Sequence, residues 1–149
     1  MNRREMLHSG AGLSLATIAG LGVSTPTRAQ EKGHEHHGTG FYGALAASAG
    51  HCVASGQSCV EHCVNQLAEG NKDMAKCAQR VLDMTTACTA LQQLANWNSS
   101  YVPRMAKVVH DICKACEDEC RKHESKHVVC KECADACAAC AKESQKVAA

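Results

Sequence analysis

Cys113-Lys-Ala-Cys-Glu-Asp-Glu-Cys120 and, 17 residues further on, Cys130-Lys-Glu-Cys-Ala-Asp-Ala-Cys137 are two segments that share one spacing of cysteines. In each segment the cysteines are three and four residues apart, which places their side chains on one face of an α-helix. The residues between them are charged or alanine, as expected for a helix that buries one face. The pair indicates two similar helices joined by a turn rather than a solenoid repeat.

The other cysteines of the 149-residue chain continue this pattern. Within each predicted helix the gaps between cysteines are sums of three and four residues, so the thiols take core positions that leucines normally occupy. The twelve cysteines are Cys52, Cys59, Cys63, Cys77, Cys88, Cys113, Cys116, Cys120, Cys130, Cys133, Cys137 and Cys140. Because thiolates are soft ligands, we interpret all twelve as candidate metal ligands in a buried core.

Helix start and stop signals divide residues 41–149 into four helices and favour an all-α fold, an antiparallel up-down four-helix bundle with a cysteine-lined core. The predicted helices span about residues 42–67, 73–96, 103–124 and 126–146. Gly70 is a glycine stop for the first helix, Pro103 suits the first turn of the third, and Ser125 is the expected N-cap of the fourth. Gly56 is expected to interrupt the first helix.

The antiparallel order sorts the thiols by depth into three layers. The middle layer is expected to contain Cys59, Cys116 and Cys133, with Met84. The layer nearest the turn between the third and fourth helices is expected to contain Cys63, Cys77, Cys120 and Cys130. The layer at the opposite end is expected to contain Cys52, Cys88, Cys113, Cys137 and Cys140, with His110. These layers together predict a continuous column of sulfur atoms.

Histidine and methionine side chains could extend this set of ligands. His110 faces the predicted column and is a candidate metal ligand. Met84 and Met105 are predicted to fill the core, because methionine adapts to irregular gaps. His51 and His62 are predicted to lie on the surface.

The N-terminal residues indicate export. Arg3-Arg4 precedes an apolar stretch from Gly10 to Val23, and Thr27-Arg28-Ala29 offers small residues at the cleavage site. We predict a twin-arginine signal peptide at residues 1–29 and a mature protein in the periplasm or another extracytoplasmic compartment. The apolar stretch is too short to span a bilayer. The histidine-rich residues 30–40 read as a flexible tether, with or without a role in collecting metal ions.

Composition argues against one class of partner. The formal net charge is +1 and only four residues are aromatic. No basic stripe is interleaved with aromatic residues, so a nucleic-acid partner is not expected.

Several chemistries compete for the twelve thiols. An even number of cysteines in an exported protein is typical of a disulfide framework, but these cysteines line long helices. Cys-x-x-Cys pairs suit zinc or iron–sulfur sites. However, three Zn²⁺ would leave six of twelve thiolate charges buried without compensation, and the ferredoxin spacing is absent. His123-Glu-Ser-Lys-His127 matches a zinc-peptidase motif, but it lies on a predicted turn, so no enzyme activity is expected.

Copper(I) fits both the charge and the spacing of the thiols. Thiolates select Cu(I), which needs few ligands, and neighbours three or four residues apart are offset by only about 4.5–6 Å along a helix. About one Cu(I) for each cysteine, about twelve per chain, would make the loaded core neutral. A structural zinc protein, a disulfide-stapled helical protein and a copper chaperone remain as alternatives.

In these features the chain resembles the exported, twin-arginine-targeted members of the bacterial four-helix-bundle copper storage proteins. The resemblance rests on Arg3-Arg4, the histidine-rich tether and the two Cys-x-x-Cys-x-x-x-Cys segments. It implies storage of many Cu(I) ions, a homo-oligomer, namely a tetramer, and a link to a copper-requiring enzyme or a copper donor or acceptor. The chain differs from an unbroken row of thiols at His110 and Ser144, so the capacity of about twelve ions carries a margin of one or two.

Overall fold

The computed structural model describes residues 40–148 of the chain, and the predicted signal peptide and nearly all of the tether lie outside this part. The described residues form four α-helices: α1 (Gly43–Ala68), α2 (Met74–Asn96), α3 (Val102–Arg121) and α4 (Val128–Val147). No strand occurs within residues 40–148. The predicted all-α, four-helix fold is confirmed. None of the four helices is both long enough and apolar enough to cross a membrane.

The four helices form an antiparallel bundle. α1 and α3 each pack against both α2 and α4. Cys77 lies beside Cys120, and Cys88 lies beside Cys113, each pair with its sulfur atoms 3.6 Å apart. The chain therefore runs in opposite directions along α2 and α3. Short connections at residues 69–73, 97–101 and 122–127 join the helices in this up-down order.

The end of α1 follows the prediction. Gly70 has a φ of 91°, a left-handed conformation that glycine adopts without steric cost. Its N–H donates to the carbonyl of Leu67, and the N–H of Asn71 donates to the carbonyl of Gln66, both at 3.0 Å. These two bonds are the Schellman pattern, which satisfies carbonyl groups at the end of a helix.

The turn between α3 and α4 differs from the prediction. α3 ends at Arg121, and α4 begins at Val128 after an extended His127, so Ser125 is not the N-cap. The carbonyl of His123 accepts hydrogen bonds from the N–H groups of both Lys126 and His127. These bonds close a turn around Ser125, and the helix starts only once the chain has left that turn.

The expected interruption of α1 at Gly56 is also wrong. α1 is continuous through Gly56, which is buried and faces α2. A Cβ atom at this position would lie only 2.5 Å from Cγ2 of Thr85 and 2.7 Å from Cε of Met84. Gly56 is therefore a place where α1 and α2 approach each other closely, rather than a break in the helix.

Gly56→Ala is expected to cost about 1–3 kcal/mol through overpacking. Alanine gains roughly 1 kcal/mol over glycine inside a helix, so the free energy of unfolding of the metal-free protein should fall by up to about 2 kcal/mol. Gly50→Ala is the matched control on the same helix, because its Cβ would meet only the flexible end of Gln92. Urea unfolding followed by circular dichroism measures both variants. A Gly56→Ala protein as stable as Gly50→Ala would contradict the close contact.

Candidate metal centre

All twelve predicted cysteine ligands lie in the core of the bundle. Every one has 0% of its surface exposed, and all are free thiols. On α4 the buried side chains are only cysteine, alanine and one serine, so its core face consists mainly of thiols. α2 supplies much of the larger apolar packing, through Met74, Val81, Met84 and Leu91.

The thiols gather into sets that could hold metal ions. Four sets have ligand sulfur atoms within 4.8 Å of one another: Cys52, Cys88, Cys113 and Cys140; Cys116, Cys133 and Cys137; Cys59, Cys120 and Cys133; and Cys59, Cys63 and Cys77. The last three sets are linked because they share Cys59 and Cys133. The first joins them where the sulfur of Cys52 lies 3.7 Å from that of Cys137. The predicted continuous column is therefore present.

The layers within this column differ in part from the predicted ones. Cys59 and Cys116 were expected in one layer with Cys133, but they belong to two different sets, and Cys133 is the member that the two sets share. Met84 was expected beside Cys59, but its sulfur lies 3.2 Å from the sulfur of Cys52. The thiol sets share members and so overlap along the bundle instead of forming separate layers.

Hydrogen bonds between neighbouring thiols shift their pKa values in both directions. The Cys120 and Cys130 thiols lower the pKa of Cys77, because an S–H group that donates to a thiolate stabilises the charge. The same two neighbours, together with burial, raise the pKa of Cys59, which keeps its proton. The pKa is raised at Cys52, Cys59, Cys88, Cys113, Cys120, Cys130 and Cys137, and lowered at Cys77, Cys133 and Cys140. The empty column therefore retains many protons at neutral pH.

His110 lies beside the column without joining one of its thiol sets. Its Nδ1 atom is 3.0 Å from the carbonyl oxygen of Ala141, across the interface between α3 and α4. If Nδ1 carries the proton and donates it to this carbonyl, Nε2 has a free lone pair. The role of His110 as a ligand stays a prediction.

Two histidines, His62 and His127, meet at the end of the bundle that holds the α3/α4 turn. His51 is exposed as predicted, whereas His62 is half-buried. Its Nε2 lies 3.0 Å from Nδ1 of His127, with ring centres 4.7 Å apart. Burial, and then the neighbouring His62, lower the pKa of His127, which favours a neutral ring.

The peptidase-like motif does not form a peptidase site within the described residues. His123 and His127 lie on the connection between the helices rather than on one helical face. His123 lies 3.8 Å from the carboxylate of Glu119, a buried residue that sequence analysis missed. Burial alone would raise the pKa of Glu119, but Lys122 and Lys76, at 2.7 and 3.4 Å, lower it. This carboxylate therefore forms ion pairs with two lysines.

The sequence model of the copper storage protein family, Csp, matches residues 41–149. This range contains all four helices and all twelve cysteines. The chain belongs to the copper storage protein family. No curated protein sequence matches it.

Solved structures of other family members share the fold. The copper storage protein Ccsp from Streptomyces lividans, loaded with 10 copper equivalents, is 24% identical with a TM-score of 0.65, covering 71% of this chain and 82% of that one. A cytosolic copper storage protein from Streptomyces lividans with five coppers is 24% identical with a TM-score of 0.66, and the match covers 71% of this chain and 90% of that one. The Cu(I)-bound copper storage protein BsCsp3 is 24% identical with a TM-score of 0.67, and the match covers 74% of this chain and 100% of that one. The family membership indicates a storage role rather than a catalytic one.

Binding of Cu(I) is expected to release somewhat less than one proton per ion, because the thiols with a raised pKa must lose their protons to become ligands, whereas the pKa is lowered at Cys77, Cys133 and Cys140. The apparent affinity should therefore fall as the pH is lowered. A pH-stat titration of the reduced protein with a Cu(I)–chelator complex measures the release, and the same additions without protein are the blank. Release of far less than one proton per ion would show that the empty thiols are already ionised.

Proposed function

We propose that this protein stores Cu(I) in its core, with about one ion for each cysteine and about twelve per chain. The observation that carries the proposal is the continuous column of eleven linked thiols, with the twelfth, Cys130, also fully buried in the same core. Family membership supports copper as the cargo.

Charge balance favours a monovalent ion over a divalent one. Among residues 40–148 the only buried polar or charged side chains are Glu119 and Ser144, so no buried lysine, arginine or histidine compensates the thiolates. A buried charge without a partner is strongly destabilising. One Cu(I) per thiolate leaves the core neutral, whereas zinc at four thiolates per ion leaves two negative charges at each site. Cu(I) also accepts the two or three sulfur ligands that these linked sets provide.

We also propose the compartment in which the protein works. The twin-arginine signal predicts a protein that folds before export, with its thiols reduced, and then works in the periplasm or another extracytoplasmic compartment. There it would exchange copper with a donor, an acceptor or a copper-requiring enzyme.

We propose a homo-oligomer, a tetramer by resemblance. An apolar groove of about 460 Å³ between α2 and α3, lined by Met105, Val108 and Ile112 among others, supports an interface on that side.

An anaerobic titration of the reduced protein with Cu(I), against a competing chelator, tests the storage proposal. We expect about ten to fourteen tightly held ions per chain, because each core thiolate supplies one charge and bridges neighbouring ions. Loading should also raise the melting temperature markedly, since ions that bind only the folded core stabilise it.

Zinc provides the control for this titration, and it should bind in smaller number without displacing Cu(I). About one to four tightly bound copper ions would contradict storage and favour a copper chaperone or a structural site. An unchanged melting temperature on loading would place the copper outside the core.

Ser144→Cys is expected to add about one Cu(I) per chain, because it extends the row of thiols one helical turn beyond Cys140. Ser144 is fully buried and its hydroxyl has no hydrogen-bond partner in the structure, so its loss leaves no polar group unpaired. Ser125→Cys is the control, because Ser125 is exposed and a thiol there is remote from the column. The same competition titration counts the ions. A Ser144→Cys protein with the capacity of the unaltered protein would show that the column ends at Cys140.

A further inference from the structure

α2 contributes fewer thiols to the column than α3 or α4. Its two cysteines, Cys77 and Cys88, are 11 residues apart, and the buried positions between them on the same face include Val81 and Met84. Valine has no metal-binding atom, whereas the thioether of methionine is a soft ligand for Cu(I). Met84 is therefore the only other sulfur that α2 presents to the described column between its two cysteines.

Met84 lies at the junction between two sets of thiols. Its sulfur is 3.2 Å from the sulfur of Cys52, which is shorter than the 3.7 Å between Cys52 and Cys137. Cys52 belongs to the set with Cys88, Cys113 and Cys140, and Cys137 belongs to the next one. An ion held by Met84 and Cys52 would thus lie at the edge of the first set, where it adjoins the next one.

The position of Met84 depends on Gly56. The terminal methyl group of Met84 occupies the space that a Cβ atom on Gly56 would need, at 2.7 Å. α1 therefore provides a recess for the methyl group, while Cys52, one helical turn away on α1, faces the adjoining sulfur. Simple filling of the core would require only an apolar side chain of this volume, whereas the thioether of Met84 also accepts a hydrogen bond from the thiol of Cys52 and so directs a lone pair toward it.

We propose that the thioether of Met84 is a Cu(I) ligand, which together with the thiolate of Cys52 holds an ion at the junction of the two thiol sets. The inference rests on the proposed storage of Cu(I). A thioether is neutral, so Cu(I) with one thiolate and one thioether leaves no net charge. Because a thioether has no proton to lose, Met84 adds a ligand without adding to the proton release of loading.

X-ray absorption at the selenium edge tests this contact directly. In reduced protein produced with selenomethionine and loaded with Cu(I), we expect a copper neighbour bonded to selenium. The signal should vanish in the Met84→Leu protein and persist in Met74→Leu. Met74 is the matched control, because it is a fully buried methionine on the same helix.

Chelator competition gives a second readout on the same three proteins. Met84→Leu should bind about one ion at least tenfold more weakly, or not at all, whereas Met74→Leu should match the unaltered protein. Absence of a selenium–copper neighbour in the loaded, unaltered protein would overturn the inference even if Met84→Leu failed to fold. A full load of about twelve ions with no such neighbour would overturn the role of Met84 and leave storage intact, whereas failure of the unaltered protein to load copper would overturn storage itself.

Discussion

Twelve thiols share a core in which residues 40–148 bury no cationic side chain, so they can ionise together only if bound positive charge matches them. This constraint follows from the high cost of burying an uncompensated charge. In the empty protein it is met by protons, which the raised pKa values of residues such as Cys59 and Cys137 retain. In the loaded form that we propose, it would be met by one monovalent ion per thiolate. Exchange of protons for Cu(I) leaves the net charge of the core unchanged, so one fold can accommodate both states.

The same constraint shapes the packing of the bundle. A face of thiols and alanines buries less apolar surface than a face of leucines, so α4 contributes less to stability than a typical core helix. α2 offsets this with Met74, Val81 and Leu91, and the tight contact at Gly56 brings α1 against it. Because the core is poor in large apolar side chains, bound metal is expected to supply a large share of the stability of the loaded form.

Helical periodicity was sufficient to predict the four helices and the burial of every cysteine, because three-and-four spacing determines the face on which a side chain lies. It was insufficient for features that depend on two segments at once. Ser125 has the chemistry of an N-cap, but hydrogen bonds to the carbonyl of His123 close a turn around it. Gly56 suggested a break when α1 was considered alone, and its role depends on Thr85 and Met84 of α2. The contact of His62 with His127 likewise depends on how α1 meets the α3/α4 turn.

Because of charge balance, thiolates and thioethers differ in how they affect the number of ions that such a core can hold. Each additional thiolate increases the number of ions that a neutral core can hold, and Ser144 lies where one more would continue the row. A neutral ligand such as the thioether of Met84 cannot increase that number, because it brings no charge. It can instead complete the coordination of an ion whose charge is already matched by Cys52. Thiolates would therefore set the capacity of the column, and Met84 would connect two of its thiol sets where α2 supplies no cysteine.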